Sequence, residues 1–272
     1  MRILAILDRL DTAAFTLETT SELASRLQCR DIRVIQPQPA TDPDYQSPDE
    51  GMPSDEERTR FAQDISGRAR DLHQTCQDWA TATGRAEDVH WVEIAGDIRR
   101  IVAHEAAGSD LVVLGRPRPA DPGYASQAFA GALYDAQAAV VVAPLQHHAT
   151  VGSHPVVAWH PSATLARAIE SARPLLEKAR AVTVIIGENR PDAQPDPTLV
   201  AELRDKGGPV TGDRFIITER DTGEQIRAHA LSARGDLLVM GAYDRPYFIE
   251  WLFGGPTRDI LTHGTLPLLT HH

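Results

Sequence analysis

Cysteine is scarce in this chain of 272 residues: Cys29 and Cys76 are the only two, and no CxxC spacing joins them. Neither a zinc site nor a redox pair is indicated. Sequence alone leaves a disulfide open, and the plain reading is two reduced, partly buried thiols. Long apolar runs are absent too. No stretch approaches the roughly 18 apolar residues that span a bilayer, and the apolar run in the opening MRILAILDRL is too short for a signal segment and meets an acid at once. A cytoplasmic location is expected. Positive charge is in deficit, with 27 Lys and Arg against 38 Asp and Glu, a net charge of -11. That balance disfavours a nucleic-acid partner, which needs a basic face, and an anionic membrane surface. It leaves nucleotides open, because a few backbone amides can outweigh global charge at a phosphate. Neither a GxSxG elbow nor a GxxxxGK[ST] loop is present, so nucleophilic and P-loop chemistry find no support.

What is present is the balance of a folded protein, 42% hydrophobic and 24% charged, with length for two ordinary domains. Self-comparison finds a repeat. Ser109-Asp110-Leu111-Val112-Val113-Leu114-Gly115 reads like Gly235-Asp236-Leu237-Leu238-Val239-Met240-Gly241. Ile3 to Leu7 resembles Val156 to Trp159, and Ala139 to Val142 resembles Leu266 to Leu269. Two units are expected, residues 1–148 and 152–272, joined by the polar stretch Gln146 to His154. The first carries a Pro- and acid-rich insert over residues 37–57.

Short apolar runs without polar alternation predict buried strands. In the first unit these are Arg2–Leu7, Ile32–Ile35, Val89–Ile94, Leu111–Leu114 and Val140–Ala143. In the second they are Val156–Trp159, Val182–Ile186, Phe215–Thr218, Leu237–Met240 and Leu266–Leu269. Helices are predicted at Thr12–Leu27, along Phe61, Ile65, Leu72, Cys76 and Trp79, and at Ile98–Ala107. Further helices are predicted at Thr164–Lys178, Pro197–Lys206, Glu224–Ala233 and Thr257–His263. Strands alternating with helices imply a doubly wound α/β fold, a parallel sheet covered on both faces. A ligand then sits at the carboxyl ends of the strands, just after Leu7, Leu114, Trp159 and Met240.

After Met240 come Gly241-Ala242-Tyr243-Asp244, nine residues, and Gly254-Gly255-Pro256-Thr257-Arg258. This resembles the phosphate loop of the universal stress protein family, in which glycines admit a phosphate close to the backbone and helix-start amides bind it. Val156 to Ser162, followed by an Ala-rich helix, is similar to the family's first strand and adjoining loop. The resemblance covers nearly the whole chain, least well at the insert. It implies two tandem doubly wound parallel five-stranded sheets of the adenine nucleotide alpha hydrolase-like kind. The units are expected to pack as an internal pseudo-dimer, as family domains pair through the last strand. A single sheet running unbroken through both halves is not expected. A homodimer is a further partner the resemblance allows.

Departures from the family pattern are specific. Asp244 stands where the second glycine belongs, adding a charge and a Cβ where a phosphate approaches. Gly255 stands where a hydroxyl residue belongs, with Thr257 two positions on. His160 stands where the family has an aspartate. In the first unit Asp8 is present, but Arg116 to Pro122 lacks the glycine spacing, and three of its seven residues are prolines without an N–H. That unit is expected to bind no nucleotide. The cofactor-binding residues implied for the second are Ala158, His160, Ser162, Ile185, Met240, Gly241, Asp244, Gly254, Gly255 and Thr257. The implied cofactor is ATP or another adenine nucleotide.

Other candidates resolve to structural roles. Tyr243, Tyr247, Phe248, Trp251 and Phe253 gather on or beside the loop; a lid or contact patch is one reading, and the favoured one has Phe248, Trp251 and Leu252 packed under it. His147, His148, His154 and His160 fit no zinc spacing. Ser162 at a helix start reads as an N-cap. Asp97, Glu105, Glu18 and Glu22 read as solvated helix acids, and His271 and His272 as a mobile end. The expectation is a non-enzymatic stress-response protein acting by binding or interaction, with a degenerate adenine-nucleotide site. The rivals are an ATP-binding protein, a weak adenine-nucleotide hydrolase, and a flavin or nucleotide carrier.

Overall fold

The apolar runs become ten short strands. In the computed structural model they are β1 (Arg2–Ile6), β2 (Asp31–Pro39), β3 (Val89–Gly96), β4 (Leu111–Gly115), β5 (Val140–Ala143), β6 (Pro155–Trp159), β7 (Val182–Glu188), β8 (Val210–Ile216), β9 (Leu237–Gly241) and β10 (Leu268–His271). The helices are α1 (Leu10–Leu27), α2 (Asp55–Ala82), α3 (Ile98–Ala106), α4 (Gly123–Ala130), α5 (Ala163–Glu177), α6 (Thr198–Asp205) and α7 (Thr222–Ser232). A π-helical turn over Gly131–Asp135 prolongs α4. The structure describes residues 1–41, 53–118, 121, 123–190, 196–218, 222–242, 260–261 and 263–272.

The strands lie in the order β3-β2-β1-β4-β5-β10-β9-β6-β7-β8. Each half is a run of five parallel strands, and the fold is the doubly wound α/β class that the sequence implies. The halves are not separate sheets, however. β5 and β10 pair antiparallel, so one sheet of ten strands runs through the chain. The reason lies in those two strands. VVVA and LLTH carry no Lys, Glu or Pro to protect an edge, and an uncharged open edge leaves backbone donors and acceptors bare. Pairing them removes both edges at once.

The register relates the halves. Ile3 lies opposite Leu111 as Pro155 lies opposite Leu237, so position n of β1 corresponds to n + 152, and β4 to β9 at n + 126. At the junction Leu268 pairs Val142, Leu269 pairs Val141 and Thr270 pairs Val140. The pair Val141·Leu269 is therefore the centre of an approximate twofold. Strand side chains alternate between two cores. Ile3, Ala5 and Leu7 belong to the core covered by α1, α2, α5 and α6, whereas Leu4 and Ile6 belong to the core covered by α3, α4, α7 and the helical residues Ile260 and Leu261.

The repeated Asp-Leu pair has a structural purpose. The carboxylate of Asp110 accepts the Arg2 amide at 2.6 Å, and that of Asp236 accepts the Ser153 and His154 amides at 2.8 Å each. Each aspartate thus fixes the start of the central strand of its half.

The main departures from the sequence reading lie in β2, α2, β8 and β10. β2 continues through Pro37 and Pro39, which pair with Ile94 and Gly96. Beyond Ile35 it has left β1 behind, so the missing proline N–H groups point to a side with no neighbour. α2 begins at Asp55 behind a Ser54–Glu57 capping box, trimming the expected insert at its other end. β8 lies earlier than expected, at Val210–Ile216. As an edge strand it is exposed or half-buried beyond Val210, and its Thr, Gly, Asp and Arg give no apolar signal. β10 lies two residues later, so His271 is not a loose end. It pairs with Gly241, and the His272 ring sits edge-on to Tyr134 at 4.9 Å.

One buried cation crosses the junction. Arg116, 1% exposed, donates from Nη1 to the carbonyls of Ile260 (2.7 Å) and Leu261 (3.1 Å) and from Nη2 to Leu266 (2.6 Å). Burial pushes its pKa down to about 10, so it remains charged at neutral pH. The carbonyl end of a helical segment is a favourable place for it. Arg116→Met is expected to lower stability by about 2–4 kcal/mol, because three buried acceptors lose their donors together. Denaturant unfolding of both proteins measures this, and a change under about 0.5 kcal/mol would show that the contact is dispensable.

Candidate functional site

In a parallel sheet the connections from two neighbouring strands part to opposite faces and leave a crevice at their carboxyl ends. In the second half the parting strands are β6 and β9. A cavity of about 450 Å³ opens there, within the usual size of a small-molecule site.

Six of the residues singled out by sequence line it: Ala158, His160, Ser162, Ile185, Met240 and Gly241. Alternation explains the grouping, since Ala158, Ile185 and Met240 all face the same core. Asp244, Gly254, Gly255 and Thr257 lie outside the described residues, as do Arg258 and the five loop aromatics. Ser162 is a helix cap, as its sequence position suggests. Its Oγ accepts the Leu165 amide at 3.1 Å and lies 3.2 Å from Thr164 Oγ1.

Other lining residues were not singled out by sequence. Phe215, Ile217, Thr222 and Ile226 close one side, and Thr164, Leu165 and Arg167 border the other. Phe215 and Ile217 share a face by their i, i+2 spacing and fall in the predicted strand Phe215–Thr218, but nothing local places that face at a cavity. Gly187 makes room for them, since a Cβ there would lie 3.1 Å from Phe215 Cζ and 3.0 Å from Ile217 Cγ1.

Gly241 is required by a close approach. A Cβ would stand 2.4 Å from Thr164 Oγ1 and 2.5 Å from the Leu165 amide. Gly115 meets Thr12 in the same way at 2.5 Å, matching the correspondence of β4 with β9 and of Thr12 with Thr164.

The first-half counterpart of this crevice is filled by the protein itself. His160 corresponds to Asp8, Pro161 to Arg9 and Ala158 to Ile6. The Arg9 side chain, 6% exposed, turns into the space beside Gly115. It donates to the Asp121 carboxylate, to the Arg116 carbonyl at 3.0 Å and to Asp8 Oδ1 at 3.3 Å. Arg118 also binds Asp121, through its backbone amide and its guanidinium. Arg68 lies over the Tyr124 ring at 5.0 Å and donates to its hydroxyl at 2.8 Å.

The two carboxyls differ electrostatically. Burial raises the pKa of Asp8, with the charge and hydrogen bond of Arg9 opposing. Burial also works to raise that of Asp121, but the hydrogen bonds from Arg118 and the charge of Arg9 outweigh it and hold Asp121 below the ordinary carboxylate value.

The remaining candidates have local partners. His147 meets Glu18 at 2.7 Å, His148 the Thr265 carbonyl at 2.8 Å, and His154 Thr183 Oγ1 at 2.9 Å. Asp97 and Glu105 are not simply solvated: Asp97 caps α3 and Glu105 pairs with Arg33. Cys29 and Cys76 are buried and free, and burial raises the Cys76 thiol to about 11. Among the described residues no three His, Cys, Asp or Glu gather as a metal site requires, and no helix is long and apolar enough to cross a membrane.

No family model and no curated protein matches this chain. Among solved structures it is similar to a universal stress protein from Archaeoglobus fulgidus DSM 4304, with a TM-score of 0.76 and 16% identity over 98% of this chain and 94% of that one. At that identity the likeness is one of fold. A second universal stress protein from Archaeoglobus fulgidus aligns at 17% identity over 43% of this chain and 96% of that one, with a TM-score of 0.30.

The filled crevice predicts opposite responses at its two acids. Asp121→Asn is expected to cost about 3 kcal/mol at neutral pH, because it leaves a buried guanidinium short of its counter-charge. Since the folded pKa of Asp121 is depressed, its contribution is present above the ordinary carboxylate range and is lost as pH falls. The difference from wild type therefore shrinks toward acid. Asp8→Asn is expected to be neutral or stabilising at pH 7, because its raised pKa marks an ion that burial disfavours. Unfolding midpoints between pH 3 and 7 check both signs, and an equal loss for the two variants would refute the assignment.

Proposed function

We propose that this chain is a binding protein of the universal stress protein type, and that its second-half crevice takes an adenine nucleotide without turning it over. The single observation that carries this is the convergence of Ala158, His160, Ser162, Ile185, Met240 and Gly241 on one cavity at the carboxyl ends of β6 and β9. The lining suits a flat heterocycle. Ala158, Ile185, Met240 and Phe215 offer apolar surface, and Ser162, Thr164 and Thr222 add polar edges. Ser162 Oγ already accepts the Leu165 amide, which favours a structural over a nucleophilic role. The fold likeness and the loop resemblance support a role in the response to stress, exerted through the bound state.

The first half serves in this reading as a closed partner. Ile6 stands where the second half has Ala158, and Arg9 where it has Pro161.

Ala158→Ile tests the proposal. The first half carries isoleucine at the equivalent position, so the fold accommodates the side chain there. In the second half it projects into the cavity. Calorimetric titration with ATP is expected to show binding to wild type and at least about tenfold weaker binding to the variant, about 1.4 kcal/mol. Equal affinity, or no binding to wild type, would overturn the proposal. Steady release of phosphate from ATP would overturn its non-catalytic part.

A further inference from the structure

The degenerate glycine loop raises the question of what balances a nucleotide's negative charge in this crevice. We infer that Arg167 on α5 holds the anionic end of the ligand and so sets the preference of the cavity for nucleotides over nucleosides. The inference rests on the nucleotide reading above.

Arg167 borders the cavity and lies five residues past the Ser162 cap. Helical side chains lean toward the helix N-terminus, which carries this guanidinium over the first turn of α5 toward the crevice mouth. Its side of the cavity follows from the packing of its helix. α5 packs against both β9 and β10, and His271 of β10 pairs with Gly241 at the end of β9. Arg167 therefore borders the cavity on the β9 side, where that strand ends at Gly241. Ala158, Ile185 and Phe215 lie on the far side, toward β7 and β8.

Among the described residues the charge of Arg167 meets no carboxylate. The chain carries a net charge of -11, and its neighbouring arginines have found carboxylates. Arg173 pairs with Glu170 and Glu202, and Arg204 and Arg214 both pair with Asp196. Glu170 is three residues from Arg167, a spacing at which the two could pair, yet it turns instead to Arg173 at 3.0 Å. Among the described residues no carboxylate pairs with Arg167, and none lines the cavity. A guanidinium facing an apolar cavity offers a planar fork of donors, the geometry that suits a phosphate.

Arg167 is exposed, so its substitution leaves the fold intact. The test is calorimetry with ATP and with adenosine on wild type, Arg167→Gln and Arg167→Lys at two salt concentrations. Arg167→Gln is expected to weaken ATP at least about tenfold and to leave adenosine within about twofold. Arg167→Lys is expected to recover part of the loss, and the salt dependence of ATP binding is expected to fall in Arg167→Gln. If wild type binds adenosine and both variants bind ATP as wild type does, the inference falls and the cavity reading stands. If Arg167→Gln loses adenosine and ATP equally, Arg167 shapes the cavity and the inference falls. If wild type binds neither compound, both readings fall.

Discussion

The antiparallel pairing of β5 with β10 joins two parallel half-sheets that would otherwise each end in a bare, uncharged edge. Three residue pairs centred on Val141·Leu269 form the join, and much else follows from their geometry. Because the pair is antiparallel, the strands of the two halves run in opposite directions, and their carboxyl ends lie at opposite edges of the sheet. The helices keep to shared faces, so α1, α2, α5 and α6 cover one continuous core. The junction also brings the end of β4 beside the start of β10. There Arg116 finds the carbonyls of Ile260, Leu261 and Leu266. A charge buried this deeply is tolerated only where several acceptors meet it.

One backbone frame thus builds two crevices, and a few side chains decide what each becomes. At the end of β1 the chain places Ile6, Asp8 and Arg9; at the end of β6 it places Ala158, His160 and Pro161. Arg9 is long enough to cross its crevice and meet Asp121, and Arg118 holds that acid from the other side. The first crevice is therefore occupied by an ion pair of the chain's own making. Pro161 has no such reach, and the second crevice stays open. The same frame gives the first half a rigid, self-satisfied edge and gives the second a lined cavity.

Much of this was legible from the residues. Buried strands announce themselves as short apolar runs. The alternation that places Ala158, Ile185 and Met240 on one face follows once the strands are set. Ser162 before an Ala-rich helix reads as a cap and is one. What escaped depends on contacts remote in sequence. The Arg9–Asp121 pair spans 112 residues, and nothing local marks Arg9 as buried. Edge strands escaped for a different reason. β8 is exposed or half-buried except at Val210, so its start carries no apolar signal; Phe215 and Ile217 do fall in the predicted strand, but nothing local places them at a cavity. Periodicity carries no information about which edges meet; the family resemblance pointed to the last strands, β5 and β10, but not to their fusion into one continuous sheet.

The central claim is an asymmetry: one crevice open to an adenine nucleotide, the other closed by Arg9. Photolabelling with an azido-adenine nucleotide, followed by peptide mapping, tests it most directly. The account predicts label on peptides containing Ala158 to Leu165 or Ile185 to Gly187, suppressed by excess ATP. Label on peptides containing Asp8 to Thr12 or Gly115 to Asp121, or label that ATP does not suppress, would contradict it.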